Sequence, residues 1–357
     1  MNILADATLP GLTAAFPKPF KLSLYHHAKE IPALLPQQNI LLCRANLKVD
    51  RDLLLNSSLS YVATASSGTD HIDEDFLKTQ NIYLIDAKGC NAPAVADYII
   101  AQLAYLKKNT LLQGNKAAVI GAGQVGSKVA QRLKAAGMSV IQFDPPKELR
   151  DKSFQSCLLA EVQHCDLISI HANLNALPPY PSRNLINKNV LKRLKDGAII
   201  LNASRGGIVN EDDLLEAKPS LIYCTDVYQN EPSISANIVR FATLCTPHIA
   251  GHSIEAKDSS VKAVSEKLHK ALGLLSPPSL PATITKPVDF PARTDWEDCV
   301  LSLYNPIYET EVLKNAKDLE STFLTLRKAH QNRHDFAMYA QSSGSDRHLA
   351  AIFGADV

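Results

Sequence analysis

From Lys116 onward, short apolar runs alternate with polar, helix-patterned segments, and this rhythm constrains the fold more than any other feature. The runs fall at Ala117–Ile120, Val140–Phe143, Leu167–Ile170, Ala198–Leu201, Leu221–Cys224 and Ala242–Cys245. Strand-length runs separated by helices are joined as parallel strands through crossovers, so the pattern predicts an α/β doubly wound parallel sheet. A similar but less regular rhythm precedes it, with candidate strands at Asn2–Leu4, Ile40–Cys43, Tyr61–Thr64 and Ile82–Ile85. It predicts a smaller α/β domain.

The first run of the regular part leads into V-I-G-A-G-Q-V-G, with glycines at Gly121, Gly123 and Gly126. A helical pattern of Val125, Val129 and Leu133 follows and ends at Gly137. Strand, glycine loop and helix together form the context that a dinucleotide-binding Rossmann fingerprint requires. Gly121 permits the tight turn, Gly123 lets backbone approach a pyrophosphate, and Gly126 lets helix and strand pack closely. The helix N-terminus offers free N–H groups to the phosphates. Asp144 ends the next run, at the spacing of the acid that binds the ribose hydroxyls. A carboxylate there repels a 2′-phosphate, so NAD is the expected cofactor and not NADP.

Three polar stretches follow the last three runs, where open α/β sheets bind ligands. They are L-N-A-S-R-G-G with Arg205, T-D-V-Y-Q-N-E-P with Asp226 and Glu231, and C-T-P-H-I-A-G-H with His248. Arginine grips a planar carboxylate through two hydrogen bonds. Histidine exchanges protons near neutral pH, and a neighbouring carboxylate orients it. The set suits oxidation of a 2-hydroxy acid: an acceptor for the hydride, a base for the hydroxyl proton and a cation for the substrate carboxylate.

The order glycine loop, Asp, Arg, Glu, His resembles that of the D-2-hydroxyacid dehydrogenase family. The resemblance implies Arg205, Glu231 and His248 as the catalytic trio, with His248 as the acid/base. It implies NAD contacts at Gln124, Val125, Asp144, Ala172, Ala203, Ser204, Arg205, Asp226 and Gly251, besides the three loop glycines. It also implies a flavodoxin-like substrate domain split around the nucleotide domain, with helices Asn91–Lys108 and Ser253–Leu272 as the two crossings. The expected domains are therefore 1–92 with 254–280 for substrate, 93–253 for NAD, and 281–357 as a small α+β dimerisation domain beyond the linker-like S-P-P-S-L-P at 276–281.

T-A-S-S-G-T-D-H-I-D (64–73), G-C-N-A (89–92), F-D-P-P (143–146) and F-L-T-L-R-K-A-H-Q-N-R-H-D-F (323–336) resemble one branch of the family. That branch implies a homodimer acting on a phosphorylated hydroxy acid in pyridoxal 5′-phosphate biosynthesis. Ala45, Ser66 and His252 stand where the branch has substrate-contacting serine, threonine and tyrosine, and H-A-N-L (171–174) lacks the family's proline. Arg44, Lys48 and Arg347 have the charge to meet a phosphate. Another branch, of the phosphoglycerate, hydroxypyruvate or lactate type, and a non-catalytic NAD-sensing protein like the corepressors of this fold, remain alternatives.

Composition narrows the partners. Lys+Arg total 37 against 36 Asp+Glu, a balance that points to neither a nucleic-acid nor a membrane partner. The seven cysteines are scattered with no C-x-x-C pair, as expected of reduced thiols in the cytoplasm, and no metal is expected. The opening M-N-I-L-A-D reads as a first strand and not as a secretory leader.

Overall fold

A computed structural model of the 357-residue chain describes all residues except 56, 218–219, 276, 278–287, 289, 291–293, 344–345 and 356–357. Apart from Pro277, the linker expected over 276–281 lies outside the described residues. The chain divides into two units, Met1–Asn91 with Ile254–Ile284, and Ala92–Ser253 with Thr285–Val357.

The first unit is built on a five-stranded sheet of β1 (Asn2–Asp6), β2 (Lys21–Tyr25), β3 (Ile40–Cys43), β4 (Tyr61–Thr64) and β5 (Tyr83–Asp86). All pairings are parallel, in the order β2-β1-β3-β4-β5, the flavodoxin-like order. The sequence expectation lacks β2. Its K-L-S-L-Y lies on the sheet edge, is short and buries only Tyr25, so it lacks the continuous apolar run that marks the central strands. Alternate residues of the central strands face two cores: Leu41 and Val62 one way, Leu42 and Ala63 the other. The helix Ile254–Ala271 covers the second core with Val261, Val264 and Leu268, whereas Ala271 at its end is exposed.

The second unit holds a six-stranded parallel sheet: β6 (Lys116–Ile120), β7 (Ser139–Phe143), β8 (Leu167–Ile170), β9 (Ile199–Asn202), β10 (Ile222–Thr225) and β11 (Leu244–Cys245). The order is β11-β10-β9-β8-β6-β7, so strand succession reverses beside β6, the switch point at which such sheets bind ligands. Period-two alternation again sorts side chains. Ala117 and Val119 enter one core, Ala118 and Ile120 the other. The helix Ala92–Lys108 is buried along nearly its whole length, against the glycine-loop helix Gln124–Ala135 and the helix Trp296–Leu303.

The C-terminal segment differs from the separate third domain expected after residue 280. Its described residues form the helices Trp296–Leu303, Ile307–Lys314, Leu319–Ala329 and Arg347–Phe353 plus a 3-10 stretch, with no strand among them. They share the second unit's cores: Leu313, Phe323 and Leu326 join one, and Phe336, Leu349, Ile352 and Phe353 join the other. Each large apolar side chain so buried contributes about 1.5–3 kcal/mol, which ties the segment to the nucleotide sheet. Among the described residues no helix is long and apolar enough to cross a membrane.

Candidate active site

The loop after β6 fits a dinucleotide for steric reasons specific to each glycine. Gly121 has φ +88°, and a Cβ there would lie 2.6 Å from the Ala172 backbone nitrogen. A Cβ on Gly126 would overlap the Gly121 carbonyl oxygen, so helix and loop touch backbone to backbone. At Gly123, among the described residues, nothing lies within 4 Å of where a Cβ would sit. That space is open where a pyrophosphate is expected, at the N-cap of the helix Gln124–Ala135. Gln124 is exposed beside it, and Val125 packs on the core.

Asp144 follows β7 and is half-buried. Its Oδ2 accepts from the Ala122 N–H at 2.8 Å, and its Oδ1 accepts from the Lys147 N–H at 2.9 Å. The glycine loop and the acid are thus bonded directly, and each carboxylate oxygen keeps acceptor capacity for a ribose hydroxyl. Lys147 donates from Nζ to the Ala122 carbonyl at 3.0 Å. Ala172, Ala203 and Ser204 lie in the loops after β8 and β9, joined by a hydrogen bond from Ser204 Oγ to the Ala172 carbonyl. Neighbouring His171 is half-buried against the Ser169 hydroxyl, and desolvation pushes its pKa down to about 3.

Arg205, Glu231 and His248 occupy the loops after β9, β10 and β11, three adjacent strands. A Cβ on Gly206 would overlap the Tyr228 carbonyl oxygen, so the Arg205 loop lies flat against the Glu231 loop. The structure brings Glu231 and His248 together, with Glu231 Oε2 2.6 Å from His248 Nδ1. The Tyr228 N–H donates to Glu231 Oε1 at 2.9 Å, fixing the carboxylate from its other side. Burial pushes the Glu231 pKa up, but the His248 ring and its hydrogen bond, the Tyr228 N–H and Arg327 together hold it below the usual carboxylate value. Such a pair holds the imidazole in one orientation. Arg205 donates from Nη1 to the Ser204 carbonyl at 2.8 Å, and its own carbonyl accepts from Asn202 Nδ2 at 3.0 Å.

Asp226 is 1% exposed. Its carboxylate accepts from Thr246 Oγ1 at 2.7 Å and from the N–H groups of Ile249 and Ala250 at 2.8 Å each. Tyr98 Oη lies 2.7 Å from Thr246 Oγ1, and Tyr228 Oη donates to the Thr246 carbonyl at 3.0 Å. Asp226 is therefore the anchor of the His248 loop, a role its position in a strand-end loop does not signal. Arg327 and Arg333 also reach this loop, from the C-terminal segment. Their stretch, 323–336, stands out in the sequence for its family likeness, but nothing local links it to residues some 80 positions earlier.

Gly251 and His252 close the same loop. Burial pushes the His252 pKa well below its usual value, and Arg327, His248, His330 and Arg333 push it the same way, so the ring is neutral near pH 7. It can donate one hydrogen bond but offers an anion no full charge.

In the first unit, the expected contacts lie past the carboxyl ends of neighbouring strands: Arg44 and Ala45 after β3, Ser66 after β4. Arg44 and Ala45 are exposed, and Arg44 donates to Thr8 Oγ1 at 2.8 Å. Lys48 pairs with Asp50 at 2.8 Å. Arg347 begins the helix Arg347–Phe353.

Residues 101–250 match the model for the D-isomer specific 2-hydroxyacid dehydrogenase NAD binding domain. The fold is that of solved dehydrogenases. An NAD+-bound 3-phosphoglycerate dehydrogenase from Entamoeba histolytica matches with TM-score 0.64 at 20% identity, covering 76% of this chain and 95% of its own. An NAD-dependent formate dehydrogenase from Staphylococcus aureus matches with TM-score 0.61 at 23% identity, covering 76% and 96%.

Sequence relatives narrow the class. An erythronate-4-phosphate dehydrogenase from Legionella pneumophila is 58% identical over 342 residues, 96% of this chain and 97% of its own. One from Coxiella burnetii is 33% identical, covering 94% of each chain. The chain belongs to the erythronate-4-phosphate dehydrogenase family of NAD-dependent 2-hydroxyacid dehydrogenases.

Proposed function

We propose that this chain oxidises 4-phospho-D-erythronate to 2-oxo-3-hydroxy-4-phosphobutanoate with NAD, in pyridoxal 5′-phosphate biosynthesis. The observation that carries the reading is the 2.6 Å contact of His248 with Glu231 at the strand ends of an NAD-binding sheet, in a chain 58% identical to an erythronate-4-phosphate dehydrogenase. With Nδ1 held by Glu231, His248 Nε2 takes the proton of the C2 hydroxyl, and Glu231 stabilises the imidazolium. Arg205 holds the substrate carboxylate and polarises the C2 oxygen. The open space at Gly123, the N-terminus of helix Gln124–Ala135 and the Asp144 carboxylate are suited to hold NAD, which when bound supplies the hydride acceptor. Gln124, Val125, Ala172, Ala203, Ser204, Asp226 and Gly251 complete that lining. Ala45, Ser66 and His252 are the proposed substrate contacts.

The enzyme is proposed to work in the cytoplasm, in keeping with its free cysteines. It is also proposed to be a homodimer joined through the C-terminal segment, where Tyr308 and Leu324 are exposed apolar side chains. A light-scattering mass of one chain would contradict the dimer.

The acid/base assignment is tested by His248→Ala. Turnover should fall by about 10²–10⁴-fold while NAD affinity, read by fluorescence titration, stays within about twofold. Wild-type turnover in this variant would contradict the reading.

A further inference from the structure

The backbone of the acid/base loop is held from two sides. His248 has φ 55°, a left-handed conformation uncommon for a residue with a Cβ. On the N–H side, the buried Asp226 carboxylate takes the protons of Ile249 and Ala250. On the carbonyl side, the donors come from the far end of the chain. Arg327 Nη1 donates to the His248 carbonyl at 2.6 Å. Arg333 Nη2 donates to the Ala250 carbonyl at 2.5 Å and lies 3.5 Å from that of Ile249. The same guanidinium reaches the Ala94 carbonyl at 3.2 Å, at the start of the helix Ala92–Lys108.

We infer that the C-terminal segment is part of the catalytic apparatus, with Arg327 as a positioning residue that fixes the backbone of His248 and so aims its ring. The inference rests on His248 being the acid/base. Arg327 is bonded to the histidine's own carbonyl, whereas Arg333 is 7% exposed and fixes the following residues. Hydrogen bonds from a charged donor are worth more than neutral ones. Loss of the Arg327 bond leaves His248 in an unfavoured conformation with one tether fewer. A displacement of about 1 Å at a reacting group costs about 10²-fold in rate.

Arg327 is half-buried on the helix Leu319–Ala329, which makes it the better variant, since removing the buried Arg333 threatens folding. Arg327→Gln should lower kcat by about 10–10²-fold, with substrate KM and NAD affinity within about twofold of wild type. Arg327→Lys, which keeps a charged donor, should recover part of kcat. Added guanidinium should likewise raise the kcat of Arg327→Ala. Wild-type kcat in Arg327→Gln would overturn the inference. So would a rise in KM at constant kcat, which would make Arg327 a substrate contact, or a parallel fall in NAD affinity, which would mean general loosening of the unit. His248→Ala assayed beside them separates the two failures. If that variant is inactive and Arg327→Gln is not, only this inference falls; if it is active, the acid/base reading falls too.

Discussion

His248 combines a left-handed backbone with a side chain bonded to Glu231 through Nδ1, and in the proposed mechanism both features serve the other imidazole nitrogen. Glu231 is where pH should act on stability. Although burial opposes its ionisation, the His248 ring, the Tyr228 N–H and Arg327 hold its folded-state pKa below the usual carboxylate value of about 4.3. A carboxylate with a depressed pKa contributes stability that is present above its unfolded pKa and lost as pH falls through the folded one. The gap in unfolding free energy between wild type and Glu231→Gln should therefore narrow as pH drops below about 5. Chemical denaturation across that range checks it; a constant gap would mean that folding leaves the Glu231 pKa unshifted. At this scale much of the site was legible. Arg205, Glu231 and His248 each lie in a polar stretch that follows an apolar run, and ligand-binding side chains collect at strand ends. Asp226 was legible as a strand-end acid but not as the loop's anchor, because that role depends on N–H groups more than 20 residues away.

The glycine loop shows how one short element divides labour. Gly126 is needed for packing and Gly123 for ligand space, and a methyl group tells them apart. Gly126→Ala drives a Cβ into the Gly121 carbonyl, so it should lower stability by about 1–3 kcal/mol or more, the cost of overpacking a tight core. Gly123→Ala points its methyl into open space. It should unfold at about the wild-type temperature yet weaken NAD by about tenfold or more, since 1.4 kcal/mol of lost contact is a factor of ten. Thermal melts with and without NAD separate the two; equal destabilisation by both would contradict the assignment. Strands buried on both faces, such as β8 and β9 with every residue buried, announce themselves as apolar runs. β2 does not, because an edge strand buries little and its alternation is carried by two leucines.

Over the whole molecule, the two parallel sheets follow from the alternation of runs and helices, and the discontinuous first unit from the family resemblance, but the place of the C-terminal segment follows from neither. Its helices have amphipathic patterns that would equally serve a free-standing domain or a covering layer. Only the fold shows Phe323 and Leu326 in one core of the nucleotide unit and Phe336, Ile352 and Phe353 in the other. Arg327 and Arg333 then come to lie on the His248 loop, a long-range pairing that no local periodicity encodes. Substrate choice is the property least fixed by the fold, since dehydrogenases of different substrates share it. Ala45 and His252 replace hydroxyl-bearing side chains at expected substrate contacts, and the intact Arg205, Glu231 and His248 predict that the chemistry survives that change. The direct measurement is the NADH absorbance on mixing the protein with NAD and 4-phospho-D-erythronate, with a parallel cuvette holding a 2-oxo acid to reoxidise any retained NADH, and with 2-oxo-3-hydroxy-4-phosphobutanoate assayed in both. Formation of that product, with none from 3-phosphoglycerate or D-lactate, is the predicted result. Turnover of one of those acids, and none of 4-phospho-D-erythronate, would contradict it.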